Sequence, residues 1–597
     1  MQAQKYSVNQ HQISTFLAFV KDGQIAIPEV QRPFVWETSR VRDLMDSLYK
    51  GYPVGYVITW QNPDVRLKDG SMSHGKKILI DGQQRITALK AAVLGDWVVN
   101  DEYDKVRIKI AFNPVTETFE VQNPAILKDK IWISDISEIM NAGSLIQVIT
   151  NYCKLNADVD SAKVENAISN LLSIQHKQIG VIELAHDLDI DTVTEIFVRI
   201  NSKGVALSQA DFAMSKMAAN ENLNGHNLRK AVDYFCHLAV APQFHEHIRD
   251  HDKDFSKSEF FNKMIWLKDE KDDLYDPDYT DMLRVTFTYE FHRGKLSDLV
   301  SLLSGRNFVT KEYEESIAAD TYSRMSKSVI NFMNENNFKK FLMIIRSTGF
   351  IIPQMIRSQN SLNFAYILYL KLKSDNLPQH DIEKYVRRWF VYSILTSRYG
   401  GSPESTIDYD IKQIATKTFV EYFKSVEEAE LSDSFWEFGL VQRLETAAPN
   451  SPFFNLFLAS LIKSNAKGFL SRDITVQSLV ETKGDIHHIF PKSYLKKNQK
   501  SRTEYNQIAN FVIMQQEINI AIGAKSPEIY FTEIKKQCEN GKIKYGGINS
   551  MEELAINLNE HCIPESIFEM NVNNYIDFLK ERRKLISMKI KKYYRNL

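Results

Sequence analysis

The sequence feature that most constrains this chain lies near its C-terminus, where residues 485–492 read Asp-Ile-His-His-Ile-Phe-Pro-Lys. Three asparagines, Asn506, Asn510 and Asn519, follow along an apolar segment. A histidine takes a proton from water near neutral pH, and an asparagine can fix the orientation of its ring. Imidazole, carboxylate and amide oxygen together can hold a divalent cation. This order of residue types indicates metal-assisted hydrolysis of a phosphodiester.

The same stretch predicts a ββα arrangement. We expect a strand over residues 485–490 that ends at Pro491, and then a long basic loop over residues 492–505. A short apolar strand over residues 510–514 follows, and a helix begins near Gln515, which places Asn519 about one turn in. The structural alternative is a satisfied pair of core histidines with asparagines at turns.

Residues 483–530 resemble the HNH (ββα-metal) nucleases, in the variant that lacks zinc-binding Cys-x-x-Cys pairs. The resemblance implies that His488 is the general base and that Asn510, the middle asparagine, orients it. It also implies that His487 and Asn519 bind Mg²⁺ or Mn²⁺. Many members carry an acid at the position of His487, so Asp485 is expected to share the ligand role.

A second candidate site lies in the N-terminal part, where residues 80–85 read Ile-Asp-Gly-Gln-Gln-Arg. The apolar run before Asp81 predicts a strand, and the residues after it predict a helix whose free N–H groups favour an anion. Arg85 adds a forked cation suited to phosphate, and Asp81 could hold Mg²⁺ or position a water. Gln83 and Gln84 could contact a base or ribose, or orient the attacking water. The structural alternative is a helix capped by Asp81, and a single glycine excludes a Walker A loop.

Three separated motifs carry a further resemblance. They are Ile-Pro-x-x-Gln-Arg-Pro-Phe-x-Trp at 27–36, the motif at 80–85, and Phe-x-x-Ile-Asn-Ser-Lys-Gly at 197–204. Together they resemble the N-terminal domain of GmrSD/SspE-type modification-dependent (type IV) restriction proteins. The resemblance implies a ParB/sulfiredoxin-like α/β domain that binds and hydrolyses a nucleoside triphosphate, with Asp81 and Arg85 as catalytic residues. The implied nucleotide-binding residues are Gln31, Arg32, Asp81, Gly82, Gln83, Gln84, Arg85, Arg199, Asn201 and Lys203.

Periodicity predicts the elements around these motifs. We expect helices over residues 9–21, 39–50 and 212–219, strands over 54–60 and 179–184, and a hairpin around Asn113-Pro114. The middle of the chain is predicted to be helical, with a break at Gly400-Gly401-Ser402-Pro403. The predicted fold is α+β, multidomain and predominantly helical, with a nucleotide-binding domain over residues 1–220, a helical domain over 221–470 and an HNH-like domain over 471–597.

The formal net charge is −1, so evidence for a polyanion partner must come from the local distribution of charge. The predicted DNA-contacting residues lie in the basic loop and are Lys492, Lys496, Lys497, Lys500 and Arg502. On the last helix we expect Tyr575, Phe578, Leu579 and Leu585 to face inward. Its basic residues, Arg582 and Arg583 among them, should face outward and contact the phosphate backbone.

These expectations define a DNA endonuclease that is regulated by a nucleoside triphosphate and acts against foreign or modified phage DNA. GTP, UTP, ATP and CTP are not distinguished by the sequence, and homodimerisation stays open. The alternatives are a nucleotide-responsive DNA-binding switch with a degenerate nuclease domain and an RNA-cleaving toxin. The four cysteines form no Cys-x-x-Cys pair, and no signal peptide or membrane segment is evident. We therefore expect a cytoplasmic protein with no membrane partner.

Overall fold

A computed structural model describes residues 5–26, 36–61, 77–99, 105–186, 188, 192–193, 208–220, 222–446, 449–482, 484 and 486–597. Within these ranges the chain is mostly helical, and a small mixed sheet lies in the N-terminal part. The predicted α+β, predominantly helical class is therefore confirmed at this level. None of the described helices is long and apolar enough to cross a membrane.

The chain divides into two compact units. The first comprises Met1–Arg229 and Leu299–Tyr322, and the second comprises Lys230–Asp298 and Ser323–Leu597. The predicted division at residues 220 and 470 stays a prediction.

The described strands have the following bounds: β1 Tyr6–Gln12, β2 Ile25–Ala26, β3 Tyr56–Gln61, β4 Lys77–Asp81, β5 Trp97–Val99, β6 Lys105–Arg107, β7 Ile110–Asn113, β8 Thr118–Val121, β9 Gln178–Leu184, β10 Ile486–His488 and β11 Phe511–Ile513. The described α-helices up to residue 303 are α1 Ile13–Lys21, α2 Thr38–Tyr49, α3 Gln83–Leu89, α4 Ile136–Met140, α5 Leu145–Leu155, α6 Ser161–Ser173, α7 Gln209–Ala219, α8 Gly225–Val240, α9 His245–His251, α10 Glu259–Met264, α11 Tyr279–Phe291 and α12 Leu296–Leu303.

The described α-helices beyond residue 303 are α13 Glu315–Phe332, α14 Glu335–Arg346, α15 Gln359–Ser374, α16 Gln379–Thr396, α17 Pro403–Thr416, α18 Phe419–Glu430, α19 Leu440–Arg443, α20 Pro452–Lys463, α21 Val476–Glu481, α22 Lys492–Lys497, α23 Arg502–Tyr505, α24 Gln516–Ile522, α25 Pro527–Asn540, α26 Met551–Glu560 and α27 Tyr575–Arg595. Two π-helical turns, Lys90–Leu94 and Phe435–Gly439, adjoin α3 and α19. The predicted helical middle and its break before Pro403 are confirmed.

The N-terminal sheet has the strand order β1-β9-β3-β4-β2. Strand β9 is antiparallel to β1 and parallel to β3, whereas β4 is antiparallel to β3 and parallel to β2. Helices α1 and α2 bury Phe16, Val41 and Met45 against one face, in a core that also contains Val57 and Val181. The sheet thus brings the end of β4 and the starts of β3 and β9 to one edge.

The predicted helix over residues 9–21 was wrong over residues 9–12. Residues Tyr6–Gln12 form β1 and pair with β9 along their whole length, and α1 begins only at Ile13. The 3.6-residue pattern of apolar residues also begins at Ile13, because the preceding seven residues are mainly polar. Backbone pairing with a distant strand, rather than local pattern, determines the structure of this segment.

The C-terminal segment contains the hairpin β10–β11 followed by α24, in the predicted order strand, strand, helix. Gln515 is the N-cap of α24, so the predicted helix start is confirmed. The predicted loop over residues 492–505 was wrong, since the helices α22 and α23 occupy most of it. Pro491 lies at the N-cap of α22, where its fixed φ and missing N–H are tolerated.

Candidate functional sites

The first candidate site is built on the β10–β11 hairpin. The pairing is antiparallel, with His487 opposite Val512 and His488 opposite Phe511. Successive side chains of a strand point to opposite faces. His487 is accordingly buried, with 9% of its surface exposed, whereas His488 is only partly buried. The two histidines therefore have different environments, and His488 is the more accessible one.

The ring of His488 is held by Asn506. Its Nε2 atom lies 2.9 Å from Oδ1 of Asn506. An amide oxygen only accepts hydrogen bonds, so Nε2 carries the proton and donates it. The other ring nitrogen, Nδ1, then keeps its lone pair. Phe511 packs edge-on against the same ring, with 5.2 Å between ring centroids. The contacts thus fix both the orientation and the tautomer of a histidine suited to accept a proton at Nδ1.

Burial lowers the pKa of His488 below its ordinary value of 6.5. The hydrogen bond that His488 donates to Asn506 opposes this shift, and the positive charge of Lys492 and the neighbouring His487 lower the pKa further. A lowered pKa keeps the imidazole neutral at pH 7, which is the form that acts as a base.

Asn510 does not take the role expected of it at His488. Its Oδ1 accepts a hydrogen bond from the backbone N–H of Phe490 at 2.8 Å, and its Nδ2 donates to the carbonyl of Tyr505 at 3.1 Å. Asn510 is completely buried, and its hydrogen bonds join the two ends of the connection between the strands, at Phe490 and at Tyr505. The structure thus places Asn506 at the histidine ring and Asn510 at the backbone that carries it. Sequence reasoning noted Asn506 in the asparagine series but assigned it no role.

Basic side chains surround His488 on the connection between the strands. Lys492 and Lys496 lie over the ring of Tyr505, with Nζ 5.7 and 5.9 Å from its centroid. The Tyr505 ring is itself 6.2 Å from that of His488. Lys497 and Arg502 are exposed, and Lys500 is paired with Glu504 at 3.2 Å. The five predicted DNA-contacting residues therefore share one short helical connection next to the candidate base.

The predicted metal ligands fit a divalent cation only in part. Among the residues that the structure describes, no three His, Cys, Asp or Glu side chains form a group that could hold a metal ion. His487 contributes a buried ring and Asn519 a half-buried amide on α24, and Asp485 lies outside the described residues. Imidazole and amide are suitable donor types, but two such groups do not make a complete site.

The last helix supports the hairpin through a buried arginine. Arg582 on α27 is completely buried, and its Nη1 donates to the carbonyls of Ala509 and Phe511, both at 2.9 Å. Its Nε and Nη2 donate to the carbonyl of His561 at 3.2 and 3.1 Å. The predicted orientation of α27 was therefore wrong at three positions, because Arg582 and Arg583 are buried whereas Leu585 is 39% exposed. Tyr575, Phe578 and Leu579 face inward as predicted, and backbone carbonyls that need a donor bring Arg582 inward beside them.

The second candidate site lies where β4 meets α3. Gly82 is the N-cap of α3 and has a left-handed backbone, with φ of 95°. A Cβ atom at this position would lie 2.5 Å from Cγ1 of Val57, so no other residue fits the turn. The turn brings Arg85 to the neighbouring strand, where its Nη1 donates to the carbonyl of Tyr56 at 2.7 Å. Burial lowers the pKa of Arg85, and the negative charge of Asp81 partly offsets that shift.

The remaining predicted nucleotide-contacting residues are only partly within the described residues. Asp81 ends β4, and Gln83 and Gln84 open α3, all three half-buried. Gln31, Arg32, Arg199, Asn201 and Lys203 lie outside the described residues. The structure therefore brings Asp81 and Arg85 together as predicted from the motif at 80–85, and the contribution of the other two motifs stays a prediction.

Comparison with known proteins bears mainly on the N-terminal part of the chain. Residues 13–218 match the family model of the GmrSD restriction endonuclease, N-terminal domain, and this range contains all three N-terminal motifs. A relative over a longer range is the uncharacterized protein MJ0686 of Methanocaldococcus jannaschii, which is 21% identical over 97% of this chain and 98% of its own length. The N-terminal part is thus similar to that of a restriction endonuclease, and the likeness to MJ0686 extends over nearly the whole of both chains.

Proposed function

We propose that this protein is a DNA endonuclease regulated by a nucleoside triphosphate, and that it restricts modified phage DNA. The match of residues 13–218 to the GmrSD restriction endonuclease N-terminal domain supports the restriction role. The single observation that carries the nuclease assignment is the hydrogen bond between His488 and Asn506, because it orients an imidazole that burial keeps neutral, beside a basic surface.

In the proposed reaction, Nδ1 of His488 accepts a proton from a water molecule, and the water oxygen attacks the phosphorus of the DNA backbone. The bond from phosphorus to the leaving oxygen breaks, its electron pair stays on that oxygen, and the oxygen takes a proton from solvent, which completes the cut of the strand. Asn506 holds the ring through Nε2 while the proton is taken up. Lys492, which already affects the pKa of His488, contributes positive charge where the phosphate binds.

A divalent cation, Mg²⁺ or Mn²⁺, belongs to this proposal. His487 and Asn519 would hold it together with Asp485, and when bound it would stabilise negative charge on the phosphate. Among the described residues these ligands do not complete a metal site.

The N-terminal domain is proposed to bind and hydrolyse a nucleoside triphosphate. The guanidinium of Arg85, oriented by the Tyr56 carbonyl and close to the charge of Asp81, supports this assignment. Arg85 would bind the phosphates, and Asp81 would hold Mg²⁺ or position the attacking water. Gln31, Arg32, Gly82, Gln83, Gln84, Arg199, Asn201 and Lys203 complete the proposed nucleotide site. Nucleotide binding would act as a gate, because an ungated nuclease damages the DNA of its host.

Cleavage of unmodified and modified phage DNA tests the proposal. The full chain is assayed with Mg²⁺ or Mn²⁺, with and without each of the four triphosphates. We expect His488→Ala to reduce cutting by about a hundredfold or more, since it removes the general base. Chelation of divalent ions with EDTA should abolish cutting. The matched control is His380→Ala, because the side chain of His380 is 81% exposed and lies on α16.

The possible outcomes separate the parts of the proposal. Cutting that survives in His488→Ala would overturn the assignment of the base. Cutting of RNA but not DNA would identify an RNA-cleaving toxin instead. If DNA is bound but not cut under any condition, the protein is a nucleotide-responsive DNA-binding switch.

A further inference from the structure

An exposed aromatic residue accepts a backbone hydrogen bond from the proposed phosphate-binding arginine. Tyr56 opens β3, and 56% of its surface is exposed. Its backbone carbonyl accepts the hydrogen bond from Arg85, and a Cβ atom built on the preceding Gly55 would lie 3.2 Å from Nη2 of the same arginine. The backbone of Gly55 and Tyr56, at the start of β3, therefore lies next to the guanidinium of Arg85.

The ring of Tyr56 lies over a glycine of the neighbouring strand. Tyr56 is paired with Gly180 of β9, and a Cβ atom there would lie 2.5 Å from Cδ1 and 2.6 Å from Cε1 of the tyrosine. A side chain at position 180 would thus displace the ring from its place. Glycine lets the aromatic ring rest on the backbone of β9, which supports one side of the ring.

The ring is on the sheet face opposite the main N-terminal core. Val57 is completely buried in that core, and alternation along β3 places Tyr56 and Trp60 on the other face. Helix α7 lies on this second face, because Nζ of Lys216 is 5.3 Å from the centroid of the Trp60 ring. Asp81 is the cross-strand partner of Ile58, next to a shift in the β3–β4 register, so it lies at the same end of the sheet as Tyr56. Tyr56, Asp81 and Arg85 thus belong to the same end of β3 and β4.

We propose that Tyr56 is the stacking platform for the base of the bound nucleoside triphosphate. This inference rests on the proposed nucleotide site and adds the part of the ligand that the site contacts besides the phosphates. A nucleobase would cover the exposed side of the ring while Arg85 binds the phosphate chain. Stacking uses the π-face that every base has, so this contact favours nucleotides over inorganic phosphates without selecting one base.

Equilibrium binding to the full chain tests the proposal, with ATP, CTP, GTP, UTP and inorganic triphosphate as probes in the presence of Mg²⁺. We expect Tyr56→Leu to weaken binding of the nucleotides about tenfold or more, because it removes the aromatic face. Binding of inorganic triphosphate, which has no base, should stay unchanged. Tyr56→Phe keeps the ring and should bind nucleotides within about threefold of the wild type.

Two further variants make the outcomes distinguishable. Tyr409→Leu is the matched control, since Tyr409 is 55% exposed and lies on α17. Arg85→Ala should weaken binding of all five probes. If Tyr56→Leu binds nucleotides like the wild type while Arg85→Ala does not, the stacking platform is wrong and the phosphate site stands. Equal loss of inorganic triphosphate in Tyr56→Leu would show a purely structural role. Unchanged binding in Arg85→Ala, or no binding by the wild type, would overturn the nucleotide site itself.

Discussion

At the scale of single residues, the chemistry depends on how one histidine is held. His488 donates from Nε2 to Asn506, and burial lowers its pKa. The ordered set of an acid, two histidines, a proline and two later asparagines selects this position in the sequence. The identity of the partner was not predictable, because three asparagines follow and only the path of the connection between β10 and β11 brings Asn506 to the ring.

A carboxylate in place of this amide should shift the pH dependence of cleavage. In Asn506→Asp the negative charge stabilises the imidazolium, so the pKa of His488 rises by about one unit. The neutral imidazole is the active form. As the pH is lowered, cleavage by the variant should therefore begin to fall at a higher pH than cleavage by the wild type. The measurement is the pH profile of DNA cleavage between pH 5 and 8, which spans the ordinary histidine pKa.

The control for this prediction is Asn498→Asp, which adds the same charge at an exposed residue just after α22. Asn498 donates to the carbonyl of Tyr494 rather than to His488. If cleavage by Asn506→Asp falls at the same acidic pH as cleavage by the wild type, His488 is not the titrating base.

At the scale of elements, the hairpin depends on a helix that is distant in sequence. Strands β10 and β11 have three residues each, too few for a stable isolated hairpin. Arg582 of α27 binds the carbonyls of Ala509 and Phe511, and the ring of Tyr575 packs on Phe490, 5.0 Å between centroids. The terminal helix is therefore part of the support of the candidate active site.

Replacement of this arginine should destabilise the hairpin. Arg582→Met keeps the length of the side chain but leaves three buried carbonyls without their donors, so we expect a loss of about 3 kcal/mol or more in the free energy of unfolding. The measurement is a urea unfolding curve in which hydrogen exchange of residues 486–513 is the probe at each urea concentration. Lys580→Met, at a position on α27 where 65% of the side chain is exposed, is the matched control and should change stability by less than about 0.5 kcal/mol. Similar stability in both variants would mean that Arg582 does not support the hairpin.

At the scale of the whole molecule, two buried histidines make the fold sensitive to acid. His561 is completely buried and donates from Nε2 to the carbonyl of Lys467. Burial lowers the pKa of His561 to about 3 and that of His237 to about 4. The unfolded chain binds a proton at each below pH 6.5, whereas the folded chain does not. Stability is therefore present at neutral pH and falls as the pH falls below 6.5 toward the folded pKa values.

His561 alone should lower the free energy of unfolding by about 2 kcal/mol at pH 5 relative to pH 7. His561→Gln keeps a donor but cannot titrate, so the difference between the two pH values should shrink by that amount. Urea unfolding at both pH values, followed by hydrogen exchange of residues 551–597, measures the effect. His380→Gln, at an exposed position, should leave the difference unchanged. An equal pH dependence in wild type and His561→Gln would contradict the assignment of a neutral buried imidazole.

The sequence by itself determined the helical character of the middle, the turn at Gly82, the order strand, strand, helix after His488, and the two groups of chemically useful residues. These features follow from local rules, since periodicity, glycine conformation and proline position act within a few residues. Only the tertiary structure decided that residues 6–12 form a strand, that Asn506 rather than Asn510 holds the histidine, and that Arg582 faces inward. In each of these cases the hydrogen-bond partner comes from a segment that is distant in sequence or folded back on the site. A local sequence pattern does not predict which distant group will be near.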